Sequence, residues 1–289
     1  MRRGRLSVTL AIPLLSASLL ASGPVALGQG ATDPSPAPTS TPVPEHTVHF
    51  DGFAFSFADD LASSVNVSTL LGERSGGPSQ PTPPSTLFSL YGRTRAPRVG
   101  GQRGQVQLFR VADLPADGYA AAQLRQLNEI LDQRPDLDPA TAGSPVSIPL
   151  LVDMDAAQGI RALATYVDTG EVTGIAFITA FIQDAYPYSS GSFTAIFQGR
   201  SVDGSTAILA SFPLTTGLFP NDVPAALVDR VSTAKGWQRY QRQAMRTLAG
   251  AGPDAFSPPL ASIWASIGSM TFAPEPAAGA SPSAAPSGG

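Results

Sequence analysis

The chain has 289 residues, a formal net charge of −4 at pH 7 and no cysteine. An acidic chain binds nucleic acid poorly, because the phosphate backbone attracts basic surfaces. Without cysteine no disulfide can stabilise the fold, so a hydrophobic core has to do so, and a chain of this length can bury one.

Residues 1–28 predict a secretory signal peptide. Three arginines precede an apolar stretch, Leu6–Leu20, and small residues follow as far as Gly28. Pro13 and the shortness of the stretch argue against a permanent transmembrane helix, which needs about 20 apolar residues. Ala26-Leu27-Gly28 offers a cleavage site, and the lack of a following cysteine excludes a lipoprotein. We expect a secreted or extracytoplasmic protein without a permanent membrane span; retention of the segment as an anchor is the alternative.

Two low-complexity segments enclose the predicted domain. Residues 29–45 alternate proline with small polar residues, a composition typical of a semi-extended linker. Residues 273–289 consist mainly of Ala, Pro, Ser and Gly, and we expect them to be disordered. A single globular domain is therefore predicted over residues 46–272.

The first half of this domain has the alternation of apolar residues that predicts strands. Phe53, Phe55 and Phe57 recur with a period of two, which places one face of a strand in a core. Strands are predicted at 46–50, 53–57, 65–67, 86–91 and 105–111. Helical spacing follows over 117–133, and Pro135 is its expected end.

The middle of the domain has the most regular pattern. Asp203-Gly204 lies between two apolar runs and is a strong hairpin signal. Asp168-Thr169-Gly170 makes a similar connection earlier in the chain. Three of the four apolar runs in this region would be joined by such turns as a meander, which implies an antiparallel sheet. The runs concerned are 160–167, 172–182, 193–202 and 206–212.

Helical spacing returns over 222–248, where Asp222 is the expected N-cap and Pro224 lies in the first turn. A last helix is predicted over 259–266. Strands that are grouped together, with helices grouped towards the ends, predict an α+β fold. We expect a central antiparallel sheet of about six to seven strands flanked by helices.

Three parts of the chain resemble the PsbP-like (Mog-like) fold, an α/β/α sandwich shared by exported bacterial proteins. They are Phe50–Phe57 (FDGFAFSF), the central meander, and a closing helix, Leu260–Ile267, that continues into Ser269–Phe272. The order of elements corresponds over nearly all of residues 46–272. The resemblance implies an α/β/α sandwich and a binding or assembly role without catalysis. It implies no functional residue in this chain.

The residues that usually carry out catalysis form no recognisable motif. His46 and His49 are three apart, a spacing that directs their rings to opposite faces of a strand and does not suit one metal ion. Ser232 and Lys235 match Ser-x-x-Lys, but no second lysine exists for the Lys-Thr-Gly element of penicillin-recognising enzymes. We therefore expect no catalytic set, no metal site and no cofactor.

The densest group of charges lies between two predicted strands and comprises Arg93, Arg95, Arg98 and Arg103. Guanidinium groups pair with carboxylates and phosphates through the same forked geometry. This loop is the predicted binding site for an anionic partner. The alternative is a solvated connection rich in Gly and Arg.

These observations favour an exported, non-catalytic binding or assembly module of the cell envelope or extracellular space, with a protein or a small molecule as its partner. An extracellular hydrolase whose site is assembled only by the fold is one alternative, and a structural envelope component is another. An enzyme needs a pocket in which carboxylates, tyrosine or arginine converge. A binding module presents a flatter exposed patch, and a structural component presents neither.

Overall fold

The computed structural model describes residues 46–72, 82–92, 101–138, 147–154 and 156–273, all of them within one compact unit. The described part is a mixed α+β fold with more strand than helix. The predicted signal peptide and linker lie outside these residues, as does the predicted tail apart from its first residue. No helix in this part of the chain has the length and apolar character that a bilayer span requires.

The described residues contain two antiparallel sheets. Their strands are β1 (His46–Phe50), β2 (Phe53–Phe57), β3 (Ser64–Leu70), β4 (Ser85–Tyr91), β5 (Gln102–Arg110), β6 (Ala157–Asp168), β7 (Val172–Ile182), β8 (Phe193–Ser201), β9 (Thr206–Thr216), β10 (Phe256–Ser257) and β11 (Thr271–Phe272). In the larger, eight-stranded sheet the order is β3-β4-β5-β9-β8-β7-β6, and β10 pairs with the end of β9. In the smaller sheet the order is β1-β2-β11.

The predicted antiparallel meander is confirmed, and it includes all four strands, β6-β7-β8-β9, where three were expected. Gly170 and Gly204 have positive φ in its turns. About six to seven strands were predicted for the central sheet, and eight are observed in the described residues. The eighth, β10, has only two residues, which are too few to give a sequence pattern. The strands β1 and β2 belong to the smaller sheet instead. There β2 pairs with β11, so that Ala54 lies opposite Thr271 from the other end of the domain.

The α-helices of the described part are α1 (Tyr119–Gln133), α2 (Ala225–Val231), α3 (Ala234–Ala249) and α4 (Leu260–Gly268). The first confirms the helix predicted over 117–133. It ends where Arg134 adopts a left-handed conformation, directly before Pro135. Proline disfavours a helical conformation in the residue before it, so the sequence signal and the observed end agree.

The helix predicted over 222–248 is divided into α2 and α3. Thr233 is extended, and its side chain accepts a hydrogen bond from the Gly236 N–H, which caps α3. Pro224 occupies the N-cap of α2, so the expected N-cap at Asp222 is wrong. The helical period continues across the break, and for that reason the spacing alone does not reveal it.

The larger sheet has a hydrophobic cluster on each face, because side chains alternate along its strands. On the first face, residues of the sheet such as Phe88 and Phe197 pack with the smaller sheet and with α3 and α4. On the second face, residues such as Phe177 pack with α1 and with the segment 148–152. The candidate site lies on the second face.

Candidate functional site

A cleft of about 420 Å³ opens on the second face of the larger sheet. Strands β5, β8 and β9 form its floor, and the segment 147–154 forms one wall. The polar residues that line it are Gln102, Gln105, Gln107, Thr194 and Ser211. The apolar ones include Leu150, Val152, Met154, Phe181, Ile196 and Leu209.

The register of the strands assembles the floor. Gln105 lies opposite Ser211, and Gln107 lies opposite Leu209, in the β5–β9 pair. Ser211 in turn lies opposite Ile196 in the β8–β9 pair. Residues that are opposite each other in a sheet point to the same face, so amide and hydroxyl groups stand beside aliphatic side chains beneath the wall.

Two hydrogen bonds orient the glutamine side chains of the floor. The Gln107 amide nitrogen donates to the Ser85 hydroxyl at 2.8 Å, and both residues are buried. The Gln102 amide nitrogen donates to the Gln105 carbonyl oxygen at 3.2 Å. The first bond fixes the amide nitrogen of Gln107, and the second fixes the amide nitrogen of Gln102 and the amide oxygen of Gln105.

The wall is held in place by Gln198, a fully buried residue of β8. Its side-chain oxygen accepts a hydrogen bond from the Leu151 N–H at 2.8 Å, and its side-chain nitrogen donates to the Pro149 carbonyl. Gln158 of β6 adds a bond from its amide nitrogen to the Ile148 carbonyl at 2.9 Å. The wall is therefore a preformed part of the fold.

Every side chain that lines the cleft within the described residues is uncharged. Three charged residues are chain neighbours of the lining: Arg103 lies between Gln102 and Gly104, Asp153 lies between Val152 and Met154, and Asp155 follows Met154 in the sequence. Buried charges are costly unless they are paired, so a cleft of this kind favours a neutral ligand. An apolar wall over an amide and hydroxyl floor suits a molecule with both apolar and hydrogen-bonding groups.

Of the four arginines predicted to bind an anionic partner, only Arg103 belongs to the described residues. It is exposed in β5, between Gln102 and Gly104 of the cleft lining. Arg93, Arg95 and Arg98 lie outside the described residues, so their binding role stays a prediction. The Gly92 N–H donates to the Gly101 carbonyl at 3.0 Å, which brings the two ends of the arginine-containing connection together.

No protein-family model, curated protein or solved structure matches this chain. The resemblance to the PsbP-like fold therefore stays an expectation. The chemistry of the site has to be inferred from its own geometry.

The histidine and Ser-x-x-Lys patterns are placed away from the cleft. His46 is half-exposed in β1, where its Nε2 atom lies 2.8 Å from an Asp59 carboxylate oxygen. Within the described part of the chain, no three residues of the types that bind metals are grouped to hold an ion. Ser232 ends α2 and Lys235 lies in the first turn of α3, so the two are not one turn apart on a single helix.

The residues that line the cleft were not predicted from the sequence. A signal for them exists in Gln105-Val106-Gln107-Leu108, where glutamine alternates with apolar residues. That pattern is normally produced by a strand with one solvated face. Here the glutamine face is partly covered by the segment 147–154, and Gln107 is only 7% exposed.

Proposed function

We propose that the protein is an exported, non-catalytic module that binds a neutral amphipathic small molecule in the cleft on the second face of the larger sheet. The observation that supports this most directly is the uncharged lining of a preformed cleft. Its volume of about 420 Å³ lies within the range of small-molecule sites, about 300 to 1,000 Å³.

The composition of the lining favours binding over catalysis. General acid–base or nucleophilic chemistry needs a side chain that can exchange a proton or attack the substrate. The amides of Gln105 and Gln107 do neither, although they can donate and accept hydrogen bonds. The hydroxyls of Thr194 and Ser211 would need an adjacent base to become nucleophiles, and the described lining contains none. The hydrolase alternative would need a carboxylate, tyrosine or arginine to converge on the cleft, and its described lining includes none.

The remaining parts of the proposal rest on the sequence. Export is inferred from the order of charged, apolar and small residues in 1–28. An α/β/α sandwich of the PsbP-like type is consistent with helices that contribute to both hydrophobic clusters, α1 on the second face and α3 and α4 on the first.

A thermal-shift screen of the purified chain tests the proposal. The probes are long-chain alcohols, monoacylglycerols and neutral glycolipids, each compared with a charged counterpart such as a fatty acid or an acidic phospholipid. A ligand at 100 times its Kd stabilises the folded state by about 2.7 kcal/mol, which raises the Tm measurably. We expect a saturable shift from a neutral probe that is unaffected by salt, because no ion pair contributes to binding.

The variant Ser211→Trp tests whether the shift in Tm arises from binding in the cleft. Ser211 is half-buried in the floor, and an indole there fills the space that a ligand would occupy. Val202→Trp, at an exposed position of the β8–β9 turn, is the matched control. The proposal predicts that the first variant loses the shift and the second keeps it. It would be wrong if only charged probes gave a shift or if Ser211→Trp bound as well as the unmodified chain.

A further inference from the structure

The two edges of the larger sheet differ in how well they are protected from pairing with another strand. The edge strand β6 has two register shifts against β7, and Leu163 within it has a φ of 51°. The Gln241 side chain of α3 also donates to the Gly159 carbonyl at 2.6 Å. Irregular backbone and a covering helix are two of the devices that prevent edge-to-edge association.

The opposite edge strand, β3, has neither device. Its seven residues, SVNVSTL, pair with β4 over seven consecutive positions without a register shift. The strand contains no charged residue and no proline. These are the residues that usually prevent an exposed edge strand from pairing with another chain. Within the described residues β4 is its strand partner, so every second residue directs its N–H and C=O away from the sheet.

The sequence outside the described residues offers no good candidate for a strand of the length of β3. Proline cannot donate to a strand ladder. Apart from the single residue Asp155, the segments after residue 28 that lie outside the described residues all contain proline. None of these segments has more than five consecutive residues without proline, whereas β3 has seven. Residues 1–28 contain longer proline-free runs, and we expect their removal on export.

We propose that β3 pairs with β3 of a second copy of this chain, antiparallel and around a two-fold axis through Val67. In this register Val67 lies opposite its own counterpart, Asn66 opposite Ser68, and Val65 opposite Thr69. The pairing brings no like charges together, because the strand has none. It also joins the two larger sheets into one, in the manner of strand addition at a free edge.

The exposed side chains at the end of β3 also favour pairing with a second copy of this chain. Leu70 and Leu71 are exposed, and Leu71 is 90% exposed. Continuing the antiparallel register past Leu70 places Leu71 beside Ser63 of the second copy. A charged partner strand would find no charge of the opposite sign on β3. A second copy of β3 is uncharged as well and has the same length.

The first test is the mass of the purified chain by sedimentation over a range of concentrations. The proposal predicts a shift from one to two copies as the concentration rises. Asn66→Lys, at an exposed position, places a cation on both sides of the axis and should keep the chain monomeric. Thr165→Lys, at an exposed position of the other edge strand, should leave the dimer unchanged.

The second test uses the absence of cysteine from the chain. Opposite Cα atoms in an antiparallel pair are about 4.5 to 5.5 Å apart, which suits a disulfide. Val67→Cys should therefore give a disulfide-linked dimer under mild oxidation, and Thr165→Cys should not. A chain that is monomeric at every concentration and is not cross-linked by Val67→Cys would overturn the proposal. So would a dimer that persists in Asn66→Lys, or equal cross-linking from the two cysteine variants. Neither test depends on a ligand in the cleft.

Discussion

Gln198 connects the sheet to the wall of the cleft through two hydrogen bonds to backbone groups of the wall. The residue is buried, so water cannot replace those bonds if the side chain is changed. A leucine would fill nearly the same volume and leave one N–H and one C=O unpaired.

We expect Gln198→Leu to lower the free energy of unfolding by about 2 to 3 kcal/mol, because each unpaired buried group costs about 1 to 3 kcal/mol before relaxation. Denaturant unfolding measures the loss. Gln158→Leu removes a single bond to the same wall and should cost less. Equal effects of the two variants would contradict the role assigned to Gln198. Gln198→Leu should also weaken the binding of any ligand that occupies the cleft.

Because of Tyr188, the free energy of unfolding should depend on pH in the alkaline range. Burial raises its pKa from 10.0 to about 12, within a cluster of aromatic rings that includes Trp237 and Tyr240. Because the folded pKa lies above the unfolded one, the protonated phenol stabilises the fold fully below pH 10. That contribution is lost as the pH rises through about 12.

We therefore expect the Tm to fall as the pH rises above 10, and to fall less in Tyr188→Phe, which has no phenol to ionise. Tyr186→Phe is the matched control, since Tyr186 lies two residues away and is 54% exposed. Identical alkaline profiles for Tyr188→Phe and the unmodified chain would contradict this role of Tyr188. Burial also raises the pKa of Tyr240, so part of the pH dependence should remain in the variant.

Among the elements, α1 is fastened to the β6–β7 hairpin at its C-terminal end. The Arg134 guanidinium donates to both oxygens of Asp168, at 2.8 and 2.7 Å, and lies 4.5 Å from the centre of the Tyr166 ring. The hydrogen bond from Arg134 lowers the pKa of Asp168, and a bond from Thr173 acts in the same direction. The pair is partly exposed, so its contribution to stability is modest.

The depressed pKa of Asp168 gives the pair a pH dependence opposite to that of Tyr188. The stabilisation from the ionised Asp168 is fully present above the ordinary carboxyl pKa of the unfolded chain. It is lost as the pH falls through the lower pKa that Asp168 has in the folded protein. We expect Asp168→Asn to reduce the free energy of unfolding at pH 7 by at most about 1 kcal/mol. Asp184→Asn, at an exposed loop position, should cause no loss. A larger loss at pH 3 than at pH 7 would contradict this account.

At the scale of the whole molecule, local patterns predicted the elements well. The period of two in Phe53-Ala54-Phe55-Ser56-Phe57 identified β2, and Asp203-Gly204 identified the β8–β9 turn. These signals are local because they depend on neighbouring side chains and on the conformational freedom of glycine. The antiparallel character of the sheet followed from the short connections in the same way.

The arrangement of elements and the cleft could not be predicted in this way, because both depend on contacts between distant residues. The pairing of Ala54 with Thr271 has no local signal, and it removes β1 and β2 from the larger sheet. Gln198 appears in the sequence as a polar residue in an apolar strand. Its role depends on Leu151, which is distant in sequence. The cleft exists only because the segment 147–154 crosses the sheet at that point.

The closure of the smaller sheet by β11 determines how the domain would respond to tension. The chain enters at β1 and leaves after β11, and both strands are bonded to β2, with the Ala273 N–H donating to the Gly52 carbonyl at 2.6 Å. A force applied between the two ends of the domain is therefore borne first by the ladders of this three-stranded sheet. The two ends pull on parallel strands in opposite directions, so the ladders are loaded in shear. We expect the eight-stranded sheet, with its cleft, to keep its shape until these ladders have broken.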